Sequence, residues 1–201
     1  MSKMIKVIIF DFDGVLINEY QKHYELSKKG IKNLTEEEFK QLFEGNIHTE
    51  REKLKERHTE FDIKSNFDKY KESIVIEKKI RNMLIKLSKK YILGIISSAK
   101  ENGINKVLKN SGLEKIVSFV YGYETQAIKI EKFKRVLKEF HLKKQECIFV
   151  TDTVGDIEEA RKSSIESIAV DFGYHKRKRL EKARPLKIIS SFAEIEKVLK
   201  S

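Results

Sequence analysis

Five short apolar runs, rich in β-branched residues, recur along this chain. They are Ile5–Phe10, Tyr91–Ile96, Ile116–Tyr121, Cys147–Val150 and Ser167–Phe172, and a sixth, weaker run covers Leu186–Ile189. Continuous apolar runs of this length are typical of strands that are buried on both faces. Helical patterns separate the runs, and strands that alternate with helices indicate parallel pairing. The sequence therefore predicts an α/β fold, a doubly wound parallel sheet of the Rossmann-like kind.

Local signals place helices between these strands. The segment Ile130–His141 carries its apolar residues at helical spacing. Thr35 with Glu38, and Ser191 with Glu194, have the spacing of capping boxes, in which a hydroxyl and a carboxylate satisfy the first main-chain donors of a helix.

The stretch after Leu16 breaks the alternation of strands and helices. It has no convincing strand, it is highly charged, and we predict a helical insert, a small cap domain, over residues 18–80. Residues 1–17 and 81–201 would form the α/β core. We expect scattered aromatic side chains to form the insert's own small core: Tyr20, Tyr24, Phe39, Phe43, Phe61, Phe67 and Tyr70. An insert at this position would overhang the first strand end, where a lid is useful.

Length and composition limit the class of protein. The 201 residues suffice for one domain with an insert, and the single cysteine excludes an intramolecular disulfide. No window is long and apolar enough to cross a bilayer, and the first apolar run meets Asp11 too soon for a signal peptide. We therefore expect a soluble, cytoplasmic protein.

The chain is strongly basic. Its formal net charge is +11, which indicates anionic partners such as phosphorylated metabolites, nucleotides or nucleic acid. Charged residues of both signs make up 36% of the chain, so source composition or adaptation to heat is the alternative explanation of the surplus. The densest basic run, His175–Arg179, is compatible with steering of an anionic substrate, with a nucleic-acid contact or with a solvated helix face.

Two acids follow directly on the first apolar run, in the segment Phe10-Asp11-Phe12-Asp13-Gly14. Burial of carboxylates costs free energy, so a strand that ends in two of them indicates a use for both. Because side chains alternate along extended chain, Asp11 and Asp13 would point to one side and Phe12 to the other. Such a pair can bind a hard cation such as Mg²⁺, or supply a nucleophile and an acid–base group.

Three further strand ends carry polar groups. Ser97 and Ser98 follow the second run, Lys129 lies in the segment after the third, and Asp152 and Asp156 follow the fourth. Because the carboxyl ends of parallel strands meet at one edge of the sheet, these groups would converge with the first acid pair. Acids for a metal, a hydroxyl and a cation suit a phosphoryl group, whose transfer depends mainly on positioning and charge neutralisation.

In order and spacing, these motifs resemble those of the haloacid dehalogenase superfamily of phosphatases, in its phosphoglycolate-phosphatase-like branch. The segment Asp11–Leu16 resembles the first motif, Ser97 the Ser/Thr of the second, and Asp152 with Asp156 the paired acids of the fourth. The segment Val170–Tyr174 resembles the closing pattern of that branch, and the insert matches the family's helical cap in position and size.

The resemblance implies a role for each acid. Asp11 would attack phosphorus and form an aspartyl-phosphate. Asp13 would protonate the leaving oxygen and then take a proton from the hydrolytic water. The implied cofactor, Mg²⁺, would be held by the Asp11 carboxylate, the Asp13 main-chain carbonyl and Asp152, while Asp156 would ligate directly or through water.

The resemblance also implies that Ser97 and Lys129 hold the phosphoryl oxygens. Ser98 is the alternative to Ser97. Lys132 is the alternative to Lys129, because the Lys-Pro pair usual in the family is absent here. Thr151 stands where the family usually has glycine, which implies a slightly tighter loop.

The predicted function is hydrolysis of a small phosphorylated metabolite. A phosphosugar mutase would use the same acid pair, and the sequence does not separate the two. The alternative from another class is a basic nucleic-acid-binding protein on the same fold, without catalysis.

Overall fold

The structure, a computed structural model, describes residues 4–58, 73–125 and 128–200. Within these residues the centre of the fold is a six-stranded sheet with the order β3-β2-β1-β4-β5-β6, in which all neighbouring strands are parallel. The strands are β1 (Val7–Phe10), β2 (Ile92–Ile96), β3 (Phe119–Tyr121), β4 (Cys147–Thr151), β5 (Glu166–Val170) and β6 (Lys187–Ile189). The predicted α/β fold is confirmed, including the weak sixth strand.

Helices occupy the intervals between the strands. They are α1 (Tyr20–Gly30), α2 (Glu36–Gln41), α3 (Ile47–Lys55), α4 (Lys78–Leu87), α5 (Glu101–Asn110), α6 (Lys129–Glu139), α7 (Val154–Lys162), α8 (Arg177–Leu180) and α9 (Ile195–Val198). Helix α2 begins at the predicted capping box: the Thr35 hydroxyl accepts from the Glu38 main chain, and the Glu38 carboxylate accepts from the Thr35 main chain.

The second predicted capping box, at Ser191 and Glu194, is not formed. The Ser191 hydroxyl accepts from the main-chain N–H of Ala193 at 3.3 Å, and the Glu194 carboxylate accepts from that of Ser190 at 3.1 Å. A 3₁₀ turn over Phe192–Glu194 precedes α9. Its tighter winding brings a nearer main-chain donor to the Ser191 hydroxyl than an α-helical start would.

The central strand β1 links the two faces of the sheet. Its side chains alternate between two apolar clusters, with Ile8 and Phe10 on one face and Val7 and Ile9 on the other. In the ladder with β4, Phe10 pairs with Val150. The chain segments that leave the carboxyl ends of β1 and β4 therefore start side by side.

Helices α1 to α3 pack around an apolar cluster of their own. Its buried members are Ile31, Leu34, Phe39, Leu42, Phe43, Leu54 and Tyr174, with Tyr20, Tyr24 and Ile47 packed against them. Tyr174 reaches this cluster from the loop after β5. The remaining aromatic residues predicted for this core, Phe61, Phe67 and Tyr70, lie outside the described residues.

The chain has rejoined the core of the sheet by Ile76. This residue, with Leu84 and Leu87 of α4, belongs to the cluster that contains Ile8 and Phe10. The division into a cap over residues 18–80 and a core over 1–17 and 81–201 stays a prediction.

Two hydrogen bonds, one between main chains and one between side chains, join the α1–α3 segment to α7. The Gly155 N–H donates to the Phe43 carbonyl at 2.9 Å, and the Asn46 side chain donates to the Glu159 carboxylate at 3.1 Å. A Cβ atom on Gly155 would lie 2.1 Å from the Gly45 carbonyl oxygen. Only glycine allows the two backbones to approach this closely.

A buried histidine forms a second link between these two parts. His175 Nδ1 accepts from the Val154 N–H at 3.1 Å, so Nε2 carries the proton and donates to the Lys40 carbonyl at 3.0 Å. Burial of the ring lowers the pKa of His175 to about 4. The neutral imidazole is therefore the form that fits this bridge.

Both arginines of the basic run are paired with acids. Arg177 contacts Asp171 at 2.9 Å, while Arg179 binds Glu37 and also contacts Glu44 at 2.9 Å. With His175 buried as well, the run does not form a uniform solvated helix face.

Acid should weaken the fold through His175. Because its folded pKa lies below that of a free histidine, the unfolded chain binds the proton first as the pH falls from 6.5 to 4. We expect this group alone to cost about 3 kcal/mol of stability across that interval. Urea unfolding at several pH values measures this loss of stability. The His175→Asn variant should lose less stability than the unmodified protein between pH 6.5 and pH 4.

His141→Asn is the matched control, because His141 is exposed and its left-handed backbone suits asparagine. This variant should keep the pH dependence of the unmodified protein. An equal pH dependence for the unmodified protein and His175→Asn would contradict the prediction.

Across the described residues, none of the helices has the length and apolar character needed to span a membrane.

Candidate active site

The first acid pair follows β1 into a tight turn. The Asp11 N–H still donates to the Val150 carbonyl at 2.8 Å, so the ladder extends one residue beyond the strand. Phe12 is buried in the apolar cluster, whereas Asp11 and Asp13 both line one cavity. Gly14 then adopts a φ of 80°, a conformation that glycine adopts without strain. The two acids thus lie on the side opposite Phe12, as the alternation of side chains predicted.

A buried lysine connects two of the predicted acids. Lys129, the first residue of α6, places its Nζ 3.0 Å from Asp11 Oδ2 and 2.6 Å from Asp156 Oδ2. Its ammonium also lies 5.3 Å from the centre of the Phe149 ring. In the described part of the chain, carboxylates engage two of its three N–H donors, so the third can donate to another anion.

The alternative lysine serves a different group. Lys132 Nζ donates to the main-chain carbonyl of Ser97 at 2.6 Å, and its side chain is fully buried. Burial and the nearby Lys129 ammonium lower the pKa of Lys132 to about 8. Lys129 therefore contacts the acids, whereas Lys132 fixes the backbone after β2.

The two serines after β2 both line the cavity. The Ser97 hydroxyl is buried and accepts from the Ala99 N–H at 3.1 Å. Helix α5 starts only at Glu101, with Lys100 as its N-cap, so Ser97 is not the cap of that helix.

The acids after β4 are held in different ways. Asp156 lies in the first turn of α7, where its N–H donates to the Thr153 hydroxyl at 3.4 Å and its Oδ2 accepts from the Thr151 hydroxyl at 2.7 Å. Asp152 is fully buried, and its Oδ2 accepts from the Tyr174 N–H at 2.7 Å. Thr151, which departs from the usual glycine, thus supplies a hydrogen bond to a predicted site acid.

Glycines surround the Asp152 carboxylate. A Cβ atom on Gly14 would lie 1.9 Å from Asp152 Oδ2, and one on Gly173 would lie 2.3 Å from it. The backbones of two loops therefore pack directly against the Asp152 carboxylate. Asp152 Oδ1 is buried and has no hydrogen-bond partner among the described residues.

Burial and the Lys129 ammonium shift the pKa values of the buried acids in opposite directions. It raises the pKa of Asp11 well above the usual value, although the Lys129 ammonium opposes the shift. It also raises the pKa of Asp152. Burial acts in the same direction on Asp156, but Lys129 and the Thr151 hydroxyl hold the pKa of that acid below its usual value.

These residues fit the predicted Mg²⁺. The buried Asp152 Oδ1 lacks a partner in the described part of the chain, and oxygen is the ligand atom that Mg²⁺ prefers. A divalent cation between Asp11 and Asp152 would also relieve their mutual repulsion. No three His, Cys, Asp or Glu side chains within the described ranges are grouped to hold a metal. Mg²⁺ commonly binds through one or two carboxylates and keeps several waters, so the Asp11 and Asp152 carboxylates would suffice if Asp156 binds through water.

The cavity joins the sheet edge to the α1–α3 segment and has a volume of about 150 Å³. From the sheet edge it is lined by Asp11, Asp13, Ser97, Ser98, Lys129 and Asp156. From the other side it is lined by His23, Phe43, Ile47, His48 and Arg51. The structure brings these predicted residues to one cavity, whereas Asp152 lies buried beside it, and their roles stay predictions.

The sequence reasoning did not single out the residues that α3 contributes. Asn46 caps this helix, and His48 and Arg51 follow three residues apart, a spacing that puts both on one face. The cap and the spacing are visible in the sequence. What the sequence did not reveal was which face of α3 meets the cavity.

The sequence matches the profile of the haloacid dehalogenase-like hydrolase family over residues 8–170. This range includes all of the predicted site residues. No sequence among curated proteins matches significantly.

Several solved structures resemble this one over nearly their whole length. A haloacid dehalogenase-like family hydrolase from Streptococcus pneumoniae is 19% identical, with a TM-score of 0.76 over 96% of this chain and 97% of that one. A predicted phosphoglycolate phosphatase from Haemophilus somnus is 19% identical, with a TM-score of 0.75 over 98% and 99%. A mutant of CbbY from Rhodobacter sphaeroides, in complex with xylulose-(1,5)bisphosphate, is 16% identical, with a TM-score of 0.76 over 95% and 96%. At identities this low, the likeness establishes the fold.

Proposed function

Because this chain belongs to the haloacid dehalogenase-like hydrolase family, we propose that it is a Mg²⁺-dependent phosphatase that acts on a small phosphomonoester. The position of Asp11 carries the proposal. This carboxylate lines the cavity, contacts the Lys129 ammonium at 3.0 Å and shares the cavity wall with Asp13. A nucleophile beside a cation and a second acid suits attack on a phosphate dianion, which would otherwise repel a carboxylate.

The proposed reaction has two halves that use the same acid pair. In the first, an Asp11 oxygen forms a bond to phosphorus while the bond to the ester oxygen breaks, and Asp13 protonates that leaving oxygen. In the second, Asp13 takes a proton from a water molecule that attacks phosphorus, the bond to Asp11 breaks, and inorganic phosphate leaves.

The surrounding residues would hold the reacting groups. The third N–H of Lys129 and the Ser97 hydroxyl would bind phosphoryl oxygens, while Lys132 keeps the Ser97 backbone in place. When bound to Asp11, Asp152 and the Asp13 carbonyl, with Asp156 direct or through water, Mg²⁺ would neutralise phosphoryl charge.

We also propose that residues 18–80 act as a cap. Cavity-lining residues from α3 and the main-chain contacts at Gly155 support this role, because they cover the acids with a segment outside the sheet. A closed cap would exclude water that is not part of the reaction.

A phosphate-release screen tests the function. We expect inorganic phosphate from at least one small phosphomonoester in the presence of Mg²⁺, and loss of that activity in excess EDTA, with recovery when Mg²⁺ is restored. A metal-independent rate would contradict the predicted cofactor. No release from a broad panel would contradict the phosphatase itself.

Product analysis separates the proposal from the mutase alternative. A mutase returns a rearranged phosphosugar, whereas a phosphatase accumulates phosphate in proportion to the ester consumed. The nucleic-acid alternative receives little support from the basic run, because Arg177 and Arg179 already contact acids. Salt-dependent binding of DNA or RNA without turnover would favour it instead.

A further inference from the structure

Arg51 extends from α3 towards the predicted active site. It lines the same cavity as Asp11 and Lys129. Its Nε atom is buried and has no hydrogen-bond partner over residues 4–58, 73–125 and 128–200. The guanidinium stays charged at every physiological pH, so the loss of a proton cannot remove the free-energy cost of burying this donor without an acceptor. An enclosed cationic donor without a protein partner indicates a ligand that supplies an acceptor.

Other cationic and aromatic residues line the cavity together with Arg51. His48 lies one helical turn earlier on α3, and its ring packs 5.2 Å from that of Tyr123. His48, Tyr123 and Lys100 all line the cavity with Arg51. The cavity wall that includes Arg51 therefore also carries cationic and aromatic side chains, in addition to the acids and Lys129.

Asp13 alone does not account for the position of Arg51. The charge of Asp13 attracts the guanidinium, but burial outweighs that attraction and lowers the pKa of Arg51. The buried Nε donor still lacks an acceptor in the described residues. A second anion in the cavity would satisfy both the donor and the charge.

We infer that Arg51 binds a second anionic group of the substrate, a carboxylate or a phosphate, distinct from the phosphoryl group that is removed at Asp11. This inference rests on the proposed phosphatase function and names its substrate class. Guanidinium groups bind both kinds of anion through paired N–H donors. Because Arg51 lines the same cavity as Asp11 and Lys129, one substrate molecule would carry both anions.

Three compounds with the same carbon count test the inference. They are 3-hydroxypropyl phosphate, its oxidised analogue 3-phosphonooxypropanoate, and propane-1,3-diyl bisphosphate. We expect kcat/KM to be roughly 10- to 100-fold higher for at least one anionic analogue than for the hydroxyl compound. Preference for the carboxylate or for the bisphosphate identifies the second anion. For a compound that is not turned over, inhibition of para-nitrophenyl phosphate hydrolysis replaces kcat/KM.

The variant Arg51→Gln should reduce this preference ratio by roughly 10- to 100-fold, and Arg51→Lys should retain part of it. Lys53→Gln is the matched control, because it removes one positive charge from an exposed position of the same helix. The control should leave the ratio unchanged.

The outcomes separate the two proposals. Phosphate release without any preference for the anionic analogues, or an equal ratio in Arg51→Gln and the unmodified protein, would overturn the role of Arg51 alone. An equal fall in the Lys53→Gln control would also overturn it, because general charge would then explain the preference. No release from any compound, para-nitrophenyl phosphate included, would overturn the phosphatase function and this inference with it.

Discussion

Replacement of Asp11 by asparagine should abolish hydrolysis, with kcat lowered by at least about 10⁴-fold. The amide has nearly the shape of the carboxylate but is a far weaker nucleophile, so no aspartyl-phosphate can form. Phosphate release with saturating substrate and Mg²⁺ measures the loss. Acid-quenched protein should retain labelled phosphate only when Asp11 is intact.

The fold should survive this change. Burial raises the pKa of Asp11, so the charge of its carboxylate is unfavourable in the metal-free protein. A neutral amide does not carry this cost. We expect the melting temperature without metal to stay equal or rise. Asp171→Asn is the control, because Asp171 contacts Arg177 outside the cavity, and its activity should stay close to normal. Substantial turnover by Asp11→Asn would rule out the proposed nucleophile.

Replacement of Lys129 by methionine should damage both stability and activity. The change leaves Asp11 and Asp156 buried without the ammonium that now contacts both. Breaking a buried ion pair by removal of one partner typically costs about 3–5 kcal/mol. Turnover should fall by at least about 100-fold, because charge neutralisation near the phosphoryl group is lost.

The stability loss in Lys129→Met should grow with pH. Lys129 lowers the pKa of both acids, so its removal raises them. Acids with a raised folded pKa destabilise the protein as the pH rises from the unfolded value near 4 towards the folded one. Denaturant unfolding at pH 5 and pH 8 measures this difference.

Lys132→Met provides the comparison for that experiment. Lys132 is equally buried but contacts the Ser97 carbonyl rather than a carboxylate. Its loss should cost less, about 1–3 kcal/mol for one unsatisfied buried acceptor. A larger loss in Lys132→Met than in Lys129→Met would contradict the assignment of Lys129 to the acids.

The sheet could be predicted from the sequence because its strands are buried on both faces. Continuous apolar runs such as Ile5–Phe10 leave few other folds possible, and observed strand β1 differs from the run by two residues. The capping box at Thr35 was predictable for a different reason, since it depends only on near neighbours in the sequence. The box at Ser191 failed because a 3₁₀ turn changed which donor was within reach.

The site could be predicted only where topology decides position. Parallel pairing brings the ends of β1 and β4 together, so the convergence of Asp11 with Asp156 followed from strand order and spacing. The sequence could not decide between Lys129 and Lys132, because both lie on α6 and only the packing of that helix selects which ammonium meets the acids. The position of Arg51 in the cavity could not be predicted for a similar reason, since it depends on how α3 packs against the rest of the fold.

The contact between Gly155 and Phe43 bears on the speed of turnover. It joins the α1–α3 segment to the residue directly before Asp156. If the α1–α3 segment moves away as the proposed cap, this main-chain hydrogen bond to the first turn of α7 would break. Product escape and relaxation of the Asp156 backbone would then share one barrier. A substitution at Gly155 or Phe43 would therefore change the rate of product release as well as the position of Asp156.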